Sequence, residues 1–169
     1  MNNEQHTGET TELSQHVKEE IDAWRQRFPE ERSRSAIIGA LHAVQHENHG
    51  YLTTPQMDAV ADYLDLEPIK VYEVATFYSM FETKPVGRHN VAICTNVSCM
   101  LRGADALVAH AEQTLGIKLG ESTSDGRIYL KREEECLAAC CGAPMMMVDH
   151  HYHENLTPES MQKILDELD

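Results

Sequence analysis

The chain has 169 residues, a formal charge of −14 and a hydrophobic share of 41%, room for one ordinary domain or for a small domain with a helical extension. No apolar run approaches the roughly 20 residues that span a bilayer. So acidic a chain has little with which to neutralise a row of phosphates, which argues against nucleic-acid binding. The polar start, MNNEQHTGETTELSQ, lacks the apolar stretch of a secretory signal and the arginines of a transit peptide, so a cytoplasmic protein is expected.

The first half reads as helices. Ser14 caps a segment whose apolar positions Val17, Ile21, Trp24 and Phe28 step at helical intervals and stop at Pro29. A second helix begins near Arg34, carries Ile37, Leu41 and Val44 on one face, and ends before Gly50. Thr54 and Pro55 read as an N-cap followed by a proline at the first helical position of a short helix carrying Val60 and Leu64. Pro68 opens a fourth, IKVYEVATFYSMF, in which Val71, Val74, Ala75 and Tyr78 share a face. Its apolar EVATFYSMF is a candidate docking surface as well as a candidate for packing inside the domain. These four helices predict an N-terminal helical bundle over residues 1–84.

After KPVGR the pattern changes, and residues 85–169 read as a second domain. A strand is predicted over 89–94. A helix over 100–115 repeats Leu101, Ala104, Val108, Ala111 and Leu115 on one face. Strands follow at 127–131 and 145–148, and HHYHEN reads as a hairpin turn. Thr157 and Pro158 cap a last helix with Met161, Ile164, Leu165 and Leu168 inward. The order strand, helix, strand, strand, helix suits a small thioredoxin-type α/β sandwich, so the whole chain is read as α+β.

Five cysteines, Cys94, Cys99, Cys136, Cys140 and Cys141, stand out. An odd count in a reducing compartment argues against a disulfide framework. Cys94 follows the first strand and Cys99 precedes the helix after it, while Cys136 and Cys140 lie in the loop between the next two strands. The pattern is C-x4-C, then after 36 residues C-x3-C. Four thiolates suit a [2Fe–2S] cluster, a structural zinc or dithiol redox chemistry. No C-x-x-C occurs in the chain, which weakens the dithiol reading. The gaps lie within zinc's tolerance, but two irons accept wide and unequal spacings more readily. Cys141, adjacent to Cys140, is expected to be a small buried residue outside the site.

The segments EVATFYSMF, KPVGRHNVAICTNVSCMLRGA, ECLAACCGAPMMMVD and HYHENLTPE resemble the thioredoxin-like [2Fe–2S] subunit family, the E subunits, of bacterial NADH:quinone oxidoreductase (respiratory complex I), in matching order over nearly the whole chain. The resemblance implies a helical front half and a thioredoxin-like domain holding one [2Fe–2S] cluster on Cys94, Cys99, Cys136 and Cys140. It also implies association with a flavin-bearing, NADH-oxidising subunit that holds the FMN. The chain would be an electron-transfer subunit, not catalytic alone. It would lie on the cytoplasmic face of the inner membrane through its complex, without inserting. Related subunits serve NAD-linked hydrogenases and formate dehydrogenases, the alternative setting. One departure is Ala138, where the family more often has glycine. The high negative charge is expected to favour the oxidised cluster and lower its potential.

Other residue groups carry weaker readings. His42, His46 and His49 recur on one helical face, and His150, His151 and His153 crowd a turn; solvated histidines are the expectation. Glu133, Glu134 and Glu135 read as a solvated run, and Met145 to Met147 as core and interface filler. No glycine-rich phosphate loop is present, so NADH and FMN are expected to bind elsewhere.

Overall fold

The computed structural model describes residues 12–132 and 136–169. The polar N-terminal tract and the glutamate run at 133–135 therefore lie outside the described residues. The chain divides into two compact units, Met1–Pro85 and Val86–Asp169.

In the first unit, α1 (Gln15–Arg25) starts where Ser14 Oγ accepts the Val17 N–H at 3.1 Å. The same hydroxyl donates to Glu47 Oε2 at 2.6 Å, tying the start of α1 to the end of α2 (Ile37–Glu47). A 3₁₀ turn, Glu30–Ala36, joins them. Next come α3 (Thr54–Tyr63) and α4 (Pro68–Phe77). α1 packs on α2, α3 on α4, and α2 touches both α3 and α4. The core includes Val17, Ile21, Ile37, Leu41, Leu52, Leu64 and Val71.

Two local expectations are corrected here. The cap of α3 is Thr53, not Thr54. Thr53 is extended and forms a capping box, its N–H donating to Gln56 Oε1 at 3.0 Å while its Oγ1 accepts the Gln56 N–H. Helix α4 also stops at Phe77, and Tyr78, expected to face inward, is exposed. Phe81 takes the core position instead. The reason lies on α2: buried Gln45 donates to the Met80 carbonyl at 3.0 Å and accepts the Glu82 N–H at 2.9 Å. Those bonds draw the chain out of helical geometry. EVATFYSMF is accordingly divided, with Ala75 and Phe81 inside while Phe77 is left 79% exposed.

The second unit is built on a five-stranded sheet in the order β2-β3-β1-β4-β5. The strands are β1 (His89–Ile93), β2 (Glu121–Ser122), β3 (Ile128–Leu130), β4 (Met146–Val148) and β5 (His151–His153). β1 runs parallel to β3 and antiparallel to β4. The helices are α5 (Val97–Leu101), α6 (Ala104–Leu115) and α7 (Pro158–Glu167). α6 packs on α7, and Leu107, Met161 and Leu165 close over Val91, Ile128 and Met146.

Here too the structure differs from the periodicity. The helix expected over 100–115 is broken at Gly103, which is left-handed at φ 97°, a conformation glycine adopts freely. Leu101, expected inward, therefore ends the short α5 and is 78% exposed. HHYHEN is half strand: β5 takes three of its six residues, and the turn is Asp149–His150, both at positive φ, the hairpin geometry that usually calls for Asn-Gly.

That turn is held by His89. Its Nδ1 lies 2.6 Å from Asp149 Oδ2, and its Nε2 lies 3.1 Å from the Asp169 carbonyl and 3.2 Å from Asp169 Oδ1. Burial opposes charging this imidazole, but the bonds to Asp149 and Asp169 outweigh it and raise the pKa. A raised folded-state pKa contributes stability below the unfolded value, about 6.5, that is lost as pH climbs through the folded value. The stability advantage of the native protein over His89→Gln, read from urea melts, should be full at about pH 5.5 and smaller at about pH 8.5. An advantage that grows with pH would contradict this assignment.

Candidate metal centre

The four spaced cysteines arrive at the site by different routes. β1 ends at Ile93, and the Cys94 N–H still donates to the Met145 carbonyl at 3.1 Å, so the sheet continues by one bond and sets Cys94 in place. Asn96 then caps α5 by accepting the Val97 N–H at 2.9 Å, which directs Cys99 inward. Cys94 and Cys99 are 3% and 1% exposed. They pack with Ala104, Leu137, Ala143 and Met145 in a small cluster of their own. Cys136 and Cys140, from the loop before β4, are exposed.

The sulfurs are linked in series. Cys94 is in hydrogen-bonding reach of both Cys99 and Cys136, and Cys136 Sγ lies 4.0 Å from Cys140 Sγ. Among the described residues, no three His, Cys, Asp or Glu side chains close on a single-ion position. Burial raises the Cys94 thiol pKa, yet backbone N–H groups of Leu137 and Asn96 and the neighbouring Cys99 and Cys136 thiols bring it below its ordinary value. Cys99 is pushed up to about 11, by burial first and then by its bond to Cys94. The first negative charge of the buried pair thus settles on Cys94, and metal binding would have to displace the proton from Cys99.

The donor set fits an iron–sulfur group. All four donors are thiols, the soft ligands such groups require. Two thiolates on one tetrahedral metal, with bonds of about 2.3 Å, stand roughly 3.8 Å apart, close to the 4.0 Å between Cys136 and Cys140. Ala138 N–H already donates to Cys136 Sγ at 3.3 Å, the type of bond that stabilises a sulfur ligand's charge.

Cys141 is corrected: it is exposed, not buried. The 3₁₀ turn Cys140–Gly142 buries Gly142 instead. A Cβ at Gly142 would lie 2.3 Å from Glu154 Cδ, so the turn has only one residue it can bury there. Backbone bonds clamp it further, from the Asn155 N–H to the Gly142 carbonyl at 2.6 Å and from the Leu156 N–H to the Pro144 carbonyl at 2.9 Å. Sequence reading missed this clamp; the glycine following two cysteines was its only trace.

Ala138 sits at φ 59°, left-handed backbone that disfavours a Cβ. Ala138→Gly should stabilise the protein by about 0.5–1 kcal/mol, less than the full left-handed strain because glycine also loosens the unfolded chain. Chemical denaturation of the metal-free protein would measure it, and a loss of stability would remove the strain argument.

Among the described residues, no three histidines converge on one point. His42 and His46 have ring centroids 6.1 Å apart on α2, and His49 lies beyond the helix at φ 55°. His42 instead lies against the strap after α4, with Nε2 3.1 Å from Met80 Sδ and its ring centroid 4.9 Å from that of Phe81. Met145 and Met146 are core residues and Met147 is partly buried. No helix among the described residues is long and apolar enough to cross a membrane.

Comparison with known proteins follows the same lines. A family model described as thioredoxin-like [2Fe–2S] ferredoxin matches residues 21–169. The second E-type subunit of NADH-quinone oxidoreductase from Rhizobium meliloti is 47% identical over 150 residues, covering 89% of this chain and 87% of that one. The E-type subunit of the same oxidoreductase from Rickettsia bellii is 43% identical over 142 residues, 84% of each chain. Among solved structures, NAD+-reducing [NiFe]-hydrogenase in the air-oxidized state superposes with a TM-score of 0.64 at 21% identity, over 75% of this chain. This chain spans only 22% of the length of that hydrogenase chain, and the likeness concerns fold alone.

Proposed function

This chain belongs to the thioredoxin-like [2Fe–2S] ferredoxin family, and from that premise we propose that it is the electron-transfer subunit of an NADH:quinone oxidoreductase, with one [2Fe–2S] cluster held by Cys94, Cys99, Cys136 and Cys140. Residues 85–169 form the ferredoxin domain, and residues 1–84 a helical bundle that accompanies it. The observation that carries the reading is the convergence of two cysteine pairs from separate loops on one site, with Cys136 and Cys140 4.0 Å apart.

When bound, the cluster supplies a one-electron store beside a flavin that receives two electrons at once from NADH. The chain's own residues do the rest. Cys94 and Cys99 anchor the site from inside, where Leu137, Ala143 and Met145 exclude water. The Ala138 N–H bonds Cys136 Sγ, and those of Leu137 and Asn96 serve Cys94, so the backbone offsets thiolate charge without adding a cation. Cys136 and Cys140 face outward, which leaves one side of the site open to a partner. That partner is the flavin-bearing, NADH-binding subunit, which holds the FMN, and the complex lies on the cytoplasmic face of the inner membrane. The quinone-linked setting is favoured over the hydrogenase-linked one because relatives at 47% and 43% identity carry the former name, whereas the hydrogenase likeness is at 21%.

Anaerobic purification, iron, sulfide and zinc analysis, and EPR before and after dithionite test the reading. About two irons and two sulfides per chain are expected, silent when oxidised and paramagnetic when reduced. Zinc without an EPR signal, persisting after reconstitution with iron and sulfide, would leave a structural module and overturn it.

A further inference from the structure

The four proposed ligands fall into two classes by access. Cys94 and Cys99 are buried, and no dissolved oxidant reaches their sulfurs without opening the core. Cys136 and Cys140 are exposed, close in sequence, and already 4.0 Å apart at sulfur. A disulfide needs that separation to shorten to about 2.05 Å, and both side chains are exposed, with three residues between them. Thiol–disulfide exchange is governed by access to the attacking sulfur as well as by its chemistry.

We propose that Cys136 and Cys140 form a thiol-oxidation site: before the cluster is installed, a small-molecule disulfide oxidises this exposed pair to an intramolecular disulfide. The inference rests on the cluster reading for its biological meaning, since it makes half of the ligand set unavailable until reduced. The step balances. One thiolate attacks the oxidant, whose S–S bond breaks and releases one thiol, leaving a mixed disulfide. The second cysteine attacks that bond, releasing the other thiol. The two cysteines lose two protons and two electrons, and the oxidant becomes two thiols. Exposed Cys141, adjacent to Cys140, is the competitor for the mixed disulfide. Vicinal cysteines close only a strained ring, so Cys136 is the better resolving partner for Cys140.

The test uses the full chain, made cluster-free by anaerobic chelation and then exposed to oxidised glutathione. Free thiols are alkylated with one reagent, and thiols released by reduction with a second. Fragmentation then locates each label. Two of the five cysteines should carry the second label, Cys136 and Cys140. Cys141→Ser should retain the bond, and Cys136→Ser should lose it. Iron uptake by the oxidised protein should be at least tenfold slower than by the reduced protein and return with a dithiol reductant. A Cys94–Cys99 or Cys140–Cys141 bond, stable mixed disulfides alone, or five unreacted thiols would each overturn the proposal. Iron and sulfide analysis of the reduced, reconstituted protein separates the two readings. If the cluster loads and this bond never forms, only the oxidation site fails; if iron and sulfide never load, the electron-carrier reading fails.

Discussion

Replacing Gly87 with alanine is expected to destabilise the second unit by about 3 kcal/mol, in the range of strongly overpacked core substitutions. A Cβ at this position would lie 2.5 Å from the Ile128 carbonyl carbon, 2.6 Å from the Tyr129 nitrogen and 2.8 Å from the Ile128 oxygen. These are backbone atoms of β3, which cannot rotate aside. β3 is also held on both flanks, paired with β1 through His89–Ile128 and Val91–Leu130 and with β2 through Ser122–Tyr129. Relief would have to come from Gly87 itself, whose N–H donates to Ser122 Oγ at 2.9 Å, so moving it breaks a bond as well. Urea denaturation followed by hydrogen exchange at the β1 and β3 amides would measure the loss. A variant within about 0.5 kcal/mol of the native protein, the range of ordinary surface changes, would show that the close approach is not a constraint.

The second large effect is expected at the ligand loop. Gly142→Ala should reduce bound iron to less than half while the protein remains folded. The added Cβ would meet Glu154 at Cδ, Cγ and Cβ, at 2.3, 2.5 and 2.6 Å. Because the glutamate's own Cβ is among these atoms, turning its side chain away does not clear the space. The strain must then pass to the Asn155–Gly142 and Leu156–Pro144 backbone bonds, which hold the chain just after Cys140. A ligand displaced by about 1 Å is costly to a preorganised site. The double variant Gly142→Ala with Glu154→Gly removes the obstruction and should recover iron. Full iron content in Gly142→Ala alone, or no recovery in the double variant, would show that this clamp does not position Cys140.

Both effects are steric facts of the tertiary structure, and neither is visible in the spacing of residues. The sequence shows Gly87 in KPVGR and Gly142 in CCGAP as turn punctuation, which describes their flexibility rather than what lies against them. The same boundary runs through the rest of the chain. Caps with a local partner were readable: Ser14 accepts from Val17 and Thr157 from Ser160, bonds that need only a short polar side chain near a helix start. The α3 cap is Thr53 rather than the neighbouring Thr54: the two side chains are chemically equivalent, and only backbone geometry with Gln56 selects the first.

What the sequence by itself determined is the chemistry and the local order: an acidic chain, helices before strands, and two cysteine pairs at loop positions with spacings that suit a shared metal group. Periodicity and capping are properties of a few neighbouring residues, so they survive without knowledge of the fold. What only the tertiary structure decided is which side of each element is used and where it stops. Gln45 reaches across from α2 to end α4 and exchange Tyr78 for Phe81 in the core. Gly103 breaks a continuous apolar face and leaves Leu101 outside. Gly142, packed against Glu154, takes the buried place in its turn, while Cys136, Cys140 and Cys141 are exposed. Each of these outcomes depends on contacts between residues far apart in the chain, and a hydrogen bond or a steric contact of that kind carries no local sequence signal.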